Sequence, residues 1–230
     1  MVQTYQRRDG CSQQMDVANN SNEIPAELIR SAEAGNQEAL AQAFDLYRSR
    51  FIRMVDLRMD PKLKGRVGAS DVIQEAFLDL AKKHAKFAAR DEPQKMSLFV
   101  WMRLVVAERL INIRRRHLET DKRDAAREIS MEKKTFDGSS SGCLAGRLVD
   151  SFTSASNRAI RAEIQAELLK TLDDMKAMDR EIITMRSFEG MSNVEVAQSL
   201  GLSENGASSR YVRAMTQLKQ RLQRLPGFQA

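Results

Sequence analysis

Residues Ser192 to Leu218, SNVEVAQSLGLSENGASSRYVRAMTQL, contain the clearest fold signal in this chain. Ser192 and Glu195 have the spacing of a capping box, which begins a short helix. Gly201 can adopt the left-handed conformation that ends this helix, and Ser203 can cap a second helix two residues later. A short helix, a glycine turn and a second helix predict a helix-turn-helix near the C-terminal end of the sequence.

The second helix of this motif divides into two faces. At 100° per residue, one sector faces the core and holds the residues Ala207, Tyr211, Ala214, Met215 and Leu218. Another sector is polar and holds Gly206, Ser209, Arg210, Arg213 and Gln217. Arginine can bridge a guanine edge with two hydrogen bonds, and serine or glutamine can reach bases and phosphates. We therefore predict a DNA recognition helix, with a solvated helix face as the alternative; the candidate contacts are Ser208, Ser209, Arg210 and Arg213.

The positive charge of the chain is concentrated in two segments. The 230 residues include 37 Lys and Arg against 31 Asp and Glu, a net charge of +6. Residues 103–127 contain eight basic and four acidic side chains, and residues 203–230 contain five against one. The segment between them, 128–163, holds five of each sign. Two basic segments with a neutral one between them suggest two contacts along one extended polyanion, such as nucleic acid, although two solvated helical faces are the alternative.

The pattern along the chain predicts an all-α protein of two small helical domains joined by a flexible linker. Residues 1–23 are polar and without periodicity, which predicts a disordered tail. Residues 24–118 are helical by pattern and form the predicted N-terminal domain. Residues 119–160 have the Gly- and Ser-rich composition of a linker, and helical periodicity returns in the predicted C-terminal domain, 161–230.

Several classes of protein are excluded by what the sequence does not contain. No run approaches the roughly 18 consecutive apolar residues of a membrane span, and the first ten residues are polar, so we expect a cytoplasmic protein without membrane contact. The only cysteines and histidines are far apart, at Cys11, Cys143, His84 and His117, which argues against a disulfide scaffold or a zinc site. No paired carboxylates, phosphate-binding glycine loop or nucleophile–base pair can be assembled, so we predict no enzyme, no metal and no cofactor.

One predicted helix, Asp71–Leu80, has a leucine on its polar side. Its apolar residues share one wide face, and the opposite face carries Asp71, Gln74, Glu75 and Leu78. A leucine inside an acidic rim predicts a docking patch for a basic partner helix. An isolated exposed leucine is the alternative, because such residues are common.

The next helix is predicted to be buried and then to emerge as a basic cluster. Residues 97–113 are apolar nearly all round, whereas the three residues that follow are Arg114, Arg115 and Arg116. Such a cluster can neutralise phosphates. The preceding loop holds Phe87, Arg90 and Lys95, an aromatic among cations that suits the capture of unstacked bases. A core position for Phe87 is the alternative.

Taken in order, these motifs resemble the extracytoplasmic-function sigma factors, the compact two-domain initiation factors of bacterial transcription. The resemblance extends from about Ile24 to Leu225, and its specificity comes from the ordered set rather than from any single motif. The residues that carry it are Ser70–Phe77, Phe99–Met102, Arg114–Arg116, Asp179–Ile183, Glu189–Ser192, Leu200–Ser203 and Arg210–Ala214.

The resemblance implies a factor that binds core RNA polymerase, recognises promoter DNA and helps to melt it for a specific regulon. The helix with Asp71, Gln74 and Glu75 would dock on the clamp helices of the large polymerase subunit. The loop after Phe87 and the arginines 114–116 would hold the melted minus-ten element, and the recognition helix would read the minus-thirty-five element as duplex. An anti-sigma factor is a further candidate partner. The alternative function is a stand-alone helix-turn-helix regulator, which would bind its site as a dimer.

Three positions depart from the usual pattern of this family. Glu108 stands where the family usually has an asparagine, so no minus-ten contact is carried over to it. Gly206 and Ser208 stand where a threonine and a lysine are common, so Arg210 and Arg213 are better candidates than Ser208. Glycine within a helix costs roughly 1 kcal/mol relative to alanine. Our hypothesis is that Gly206 lets the backbone approach DNA.

Overall fold

The computed structural model describes residues 24–60, 63–90, 96–119, 144–146, 148–149 and 158–223. The predicted tail, 1–23, and most of the predicted linker lie outside these residues. Over the described ranges the secondary structure is helical and contains no strand, which confirms the all-α prediction. No helix in these ranges has both the length and the apolar character to cross a membrane.

Among the residues that the structure describes, four helices form the N-terminal half. At the start of two of them, a side chain accepts hydrogen bonds from backbone amides. Asn36 Oδ1 accepts hydrogen bonds from the amides of Glu38 at 2.9 Å and Ala39 at 3.1 Å, and Asp71 Oδ2 accepts one from the amide of Gly68 at 3.1 Å. The helices are α1 (Ala26–Glu33), α2 (Gln37–Arg58), α3 (Ala69–Ala88) and α4 (Leu98–Glu119).

Helix α4 is the buried centre of this half, as its apolar sequence predicts. It contacts both α2 and α3, and Val100, Met102 and Val106 are completely buried. The ring of Phe51 on α2 stacks on Phe99 with 5.6 Å between centroids and 6° between planes. The four N-terminal helices therefore share one apolar core, arranged around α4.

Within residues 158–223, the C-terminal half contains four α-helices and one π-helical turn. In the turn, the amide of Glu189 donates to the carbonyl of Thr184, five residues earlier, at 3.1 Å. This wider turn directly follows a short α-helix, so the chain continues in helical form across residues 177–188. The elements are α5 (Arg158–Asp173), α6 (Ala177–Ile183), the π-helix (Thr184–Phe188), α7 (Asn193–Leu200) and α8 (Glu204–Leu222).

Helices α7 and α8 form the predicted helix-turn-helix. Ser192 Oγ accepts from the amide of Glu195 at 3.2 Å, and Glu195 Oε2 accepts from the amide of Ser192 at 2.8 Å, which completes the capping box. Gly201 ends α7 with φ of 63°, and Ser203 begins α8 by accepting from the amide of Gly206 at 3.1 Å. The structure therefore confirms the capping and helix-ending roles predicted for Ser192, Glu195, Gly201 and Ser203.

Part of the predicted linker is packed into the core. Residues 144–146 and 148–149 are helical, and their apolar side chains Leu144, Ala145, Leu148 and Val149 are at most 5% exposed. The expectation of a flexible polar tether is therefore wrong at these positions. The linker prediction rested on the Gly- and Ser-rich composition around these positions. The short apolar run at the positions themselves buries its side chains in the core.

The two halves are in contact. Helix α4 packs against α7, and the amide of Ser97, just before α4, donates to Gln198 Oε1 on α7 at 3.1 Å. The buried apolar residues of both halves belong to one continuous core. The recognition helix α8 packs on α5, α6 and α7.

Candidate nucleic-acid interface

Helix α8 buries its predicted apolar face and exposes most of its polar one. Ala207, Ala214 and Leu218 are at most 2% exposed, whereas Ser209 and Arg213 are exposed. Arg213 Nε donates to the carbonyl of Ser209, one helical turn earlier, at 3.3 Å. The guanidinium of Arg213 therefore lies on the outer surface of the helix-turn-helix, where a DNA groove could reach it.

Arg210 is placed differently from Arg213. Its Nε donates to Asp179 Oδ1 at 2.7 Å, and its side chain is only 30% exposed. Arg210 therefore connects α8 to the start of α6. This differs from the prediction, in which Arg210 lies on the outward polar face of the helix. Ser208 is half-buried, so of the four predicted contacts Ser209 and Arg213 are the two exposed ones.

Sequence reasoning missed Val212 as a residue of this surface. Its side chain is 59% exposed, although it is apolar, and it follows the exposed Ser209 by one turn of α8. Asn205 and Thr216 are exposed on the same line of the helix, at spacings of three and four residues. An exposed branched side chain on a recognition helix can contact the methyl group of thymine. The spacing of three and four residues along α8 is the sequence signal that could have identified Val212.

The leucine of α3 is exposed, as its position on the polar face predicts. Leu78 is 59% exposed, and Asp71 and Gln74 lie exposed along the same line of α3. Gln74 and Leu78 border an open groove of about 430 Å³ between α2 and α3, which Phe44 and Phe77 also line. The predicted docking patch is therefore continuous with a groove that has apolar walls.

Glu75 belongs to a different set of contacts from the rest of the patch. It pairs with Arg109 Nη1 at 3.3 Å and with Arg116 Nη2 at 3.6 Å, both on α4. Arg109 also donates to Asp79, from its Nε at 2.8 Å, and this hydrogen bond raises the pKa of Arg109. Glu75 thus faces the basic end of α4, while Asp71, Gln74 and Leu78 form the free face of α3.

A second cavity of about 400 Å³ lies beside α4. It combines apolar and aromatic walls with cations, and Glu108 at its edge pairs with Lys83 at 2.6 Å. Arg115 lines this cavity, and Arg114 and Arg116 are exposed next to it in the sequence. An apolar cavity with a basic rim has the shape and charge that an unstacked base and its phosphate require. Its lining includes Lys83, Arg90, Met96, Trp101, Leu104 and Arg115.

Phe87 requires a correction. Its side chain is 1% exposed, and its ring stacks on Trp101 with 4.2 Å between centroids and 16° between planes. It is a core aromatic, so its ring is not available to stack on a base. Arg90 is exposed and lines the second cavity, and its Cζ lies 5.8 Å from the Phe87 centroid. Trp101, which sequence reasoning treated only as a core residue, lines the cavity wall.

The geometry defines a helix-turn-helix domain whose second helix presents a polar and basic surface. Residues 165–218 match the family model described as sigma-70, region 4. The predicted resemblance to sigma factors is therefore confirmed for this segment, which contains α6, the π-helix, α7 and most of α8. Among the residues that the structure describes, no three His, Cys, Asp or Glu side chains are grouped so that they could hold a metal ion.

Comparison with solved structures finds chains that match this one. One of them is CnrH in complex with the cytosolic domain of CnrY, with a TM-score of 0.46 and 20% sequence identity. The similarity covers 86% of this chain and 96% of that one. No curated protein matches this chain.

Proposed function

We propose that this chain is a sigma factor of the extracytoplasmic-function type. It binds core RNA polymerase in the cytoplasm, recognises promoter DNA and helps to melt it, without catalysis of its own. The observation that carries the proposal is the match of residues 165–218 to sigma-70 region 4, in which α8 exposes Arg213. In this proposal residues 24–118 and 161–230 are the two functional domains, and residues 119–160 connect them.

Helix α8 reads the minus-thirty-five element as duplex. An α-helix fits the major groove, where Arg213 can donate two hydrogen bonds to a guanine and Val212 can contact a thymine methyl. Ser209 is exposed one turn earlier, within reach of a phosphate or base. Because Arg210 is already paired with Asp179, it supports the position of α8 rather than reading a base.

The cavity beside α4 receives an unstacked base of the minus-ten element. Trp101 and Leu104 supply apolar walls, and Arg90 and Arg115 supply positive charge at the rim. The exposed Arg114 extends this positive surface along the backbone of the melted strand. The support for this step is the combination of apolar walls and cations in one cavity.

The free face of α3 docks on core RNA polymerase. Asp71, Gln74 and Leu78 combine a negative charge, an amide and an exposed leucine, which suits a basic amphipathic helix such as a polymerase clamp helix. The adjoining groove of about 430 Å³ gives apolar side chains of the partner a place to insert. An anti-sigma factor is a further proposed partner of the chain.

Run-off transcription with purified core RNA polymerase and a library of promoter fragments tests the proposal. We expect initiation that depends on this chain, and the selected fragments should share two elements. The competing function, a stand-alone helix-turn-helix regulator, predicts that the chain does not stimulate transcription and binds duplex DNA by itself as a dimer. That result would replace the sigma-factor proposal.

A further inference from the structure

Four charged side chains are buried where the two halves of the chain meet. Arg58 ends α2, Arg103 lies in α4, Glu181 lies in α6 and Glu189 follows the π-helix. None of these residues is more than 6% exposed. We call them the interdomain charge cluster.

Each carboxylate of the cluster contacts both guanidinium groups. Arg58 donates to Glu181 at 2.6 and 3.1 Å and to Glu189 at 2.7 Å. Arg103 donates from Nε to Glu189 at 2.7 Å and from Nη2 to Glu181 at 3.4 Å. Burial alone would raise the pKa of Glu189, but Arg103 and Arg58 lower it to about 2, so this carboxylate is ionised.

All of these ion pairs run between the halves, because both arginines belong to the N-terminal helices and both glutamates to the C-terminal ones. A buried ion pair contributes little net stability relative to apolar contacts, since the charges lose their hydration. It is nevertheless specific, because a buried charge without its partner is strongly unfavourable. When the halves separate, water can hydrate all four groups at once. The cluster therefore selects one closed arrangement of the two halves, in addition to the apolar core that they share.

Further polar contacts surround the cluster at the edge of the interface. Arg50 Nη2 on α2 donates to the carbonyl of Gly190 and to Glu195 Oε2, both at 3.3 Å. The amide of Ser97 donates to Gln198 Oε1. Glu195 and Gln198 lie on α7, so the N-terminal half holds the first helix of the helix-turn-helix directly.

The closed arrangement is too short to contact both promoter elements at once. This step rests on the proposed function. Elements centred about 25 base pairs apart are separated by about 85 Å along duplex DNA at 3.4 Å per base pair. A compact chain of 230 residues has a radius of gyration of about 17 Å, which corresponds to roughly 45 Å across.

We propose that the interdomain charge cluster is a latch, which holds the two halves closed in the free chain and opens before both promoter elements are bound. The latch is a property of the chain itself and can be tested without DNA. Its consequence for transcription is tested separately.

The first experiment removes the two buried negative charges from the full-length chain. We expect the double variant Glu181→Gln with Glu189→Gln to keep its helical circular dichroism and to increase its radius of gyration in small-angle X-ray scattering by roughly a third, as separated domains require. The matched control is Asp173→Asn with Asp174→Asn, which removes two charges that are 61% and 64% exposed. The control should scatter like the wild type.

Two outcomes of this experiment would overturn the latch. An unchanged radius of gyration with native helicity would mean that the cluster does not hold the halves together. Loss of helicity would mean that the four charges stabilise one indivisible core rather than a contact between two folded halves. Neither outcome depends on whether the chain acts in transcription.

The second experiment closes the chain covalently. Ser97→Cys and Gln198→Cys, in a chain with Cys11→Ser and Cys143→Ser, are joined by a bismaleimide whose spacer contains a reducible disulfide. We expect run-off transcription to fall at least tenfold and to return after reduction. Full activity of the cross-linked chain would overturn the need for opening. If the uncross-linked chain does not stimulate transcription, the proposed function fails, whereas the scattering result still stands.

Discussion

Arg213 is the exposed cation of the helix-turn-helix that lies nearest to the middle of the recognition helix. If it contacts a guanine, Arg213→Ala removes both hydrogen bonds to that base. We expect the polymerase complex to lose about 1–3 kcal/mol of affinity for the duplex that contains the minus-thirty-five element, or roughly 5- to 150-fold. Fluorescence anisotropy with a labelled duplex measures this loss.

Arg221→Ala is the matched control for Arg213. Arg221 lies on the same helix, and its Nη1 is 3.8 Å from Asp174 Oδ2. Its removal lowers the positive charge of α8 equally, so it reports the general electrostatic part of binding. An equal loss of affinity in the two variants would show that Arg213 contributes charge rather than base recognition.

Leu78 can be changed to aspartate with little effect on the fold, because its side chain is 59% exposed. Leu78→Asp places a second carboxylate in the middle of the docking patch, and we expect it to abolish binding of the chain to core RNA polymerase in a pull-down assay. Leu46→Asp on α2 is the control, since Leu46 is also exposed, at 44%, but does not line the groove. Equal binding of the two variants, or loss of helicity in Leu78→Asp alone, would contradict the assignment.

The position of a single side chain can be predicted from the sequence where the information that determines it is local. The exposure of Leu78 and of Arg213 follows from their position on a helix face. The places of Phe87 and Arg210 do not, because Phe87 packs against Trp101 and Arg210 pairs with Asp179, which is 31 residues away. Periodicity can say that a side chain leaves the helix in a given direction, but not which distant group it meets.

Among the helices, the start of α8 provides a test in which two local effects oppose each other. A Cβ added at Gly206 would lie 2.9 Å from Ser203 Oγ, the atom that caps the helix. Gly206→Ala should therefore gain about 1 kcal/mol of helix propensity and lose a similar amount of capping. We expect the midpoint of thermal unfolding to change little.

The double-mutant cycle with Ser203→Ala separates these two effects. Once the hydroxyl is absent, Gly206→Ala has nothing to displace and should stabilise the protein by about 1 kcal/mol. Urea unfolding of the four proteins measures the coupling energy. Equal effects of Gly206→Ala in both backgrounds would remove the steric explanation. Weaker promoter binding without a coupling energy would favour the hypothesis of backbone approach to DNA.

The elements that the sequence predicts correctly are those with signals at their own ends. Two serines, Ser192 and Ser203, cap the backbone amides of a helix, and Gly201 ends one. Each acts on atoms within three or four residues, so the helix-turn-helix could be predicted without knowledge of its packing. The helical residues 144–146 and 148–149 lack such signals. Their apolar side chains are buried by contacts with distant parts of the chain, and composition alone describes them as linker.

For the whole molecule, the charge cluster predicts an acid-dependent loss of stability. The pKa of Glu189 is lowered from 4.5 to about 2 in the folded chain, so its contribution is complete above pH 4.5 and is lost as the pH falls towards 2. Glu189→Gln resembles the protonated side chain. We expect the free energy of unfolding to differ by about 3 kcal/mol between wild type and variant at pH 6, and by roughly 2 kcal/mol less at pH 3.

Urea unfolding at the two pH values measures this difference. Asp174→Asn serves as the control, because its carboxylate is 64% exposed and should make a small contribution at either pH. A constant difference between wild type and Glu189→Gln from pH 6 to pH 3 would contradict the lowered pKa of Glu189.

The sequence predicts the two halves of the molecule but not how they meet. Helical periodicity, the basic segments and the change of composition after residue 118 are properties of continuous stretches. The cluster joins Arg58 to Glu189 across 131 residues, and Arg103 to Glu181 across 78. Each of these four residues, considered alone, is an ordinary charged position on a predicted helix. Only the packing of the halves shows that they are buried together.

The π-helical turn determines the direction in which the second glutamate points. In a continuous α-helix, positions 181 and 189 would differ by about 80° around the axis, at 100° per residue. A π-helical turn contains more residues per turn than an α-helix, so it rotates the chain by less than 100° per residue and brings the two positions closer to one line. Two carboxylates separated by two helical turns thereby face the same pair of arginines. The reduced rotation of the π-helix, rather than its charge, therefore allows one helical segment to neutralise both Arg58 and Arg103.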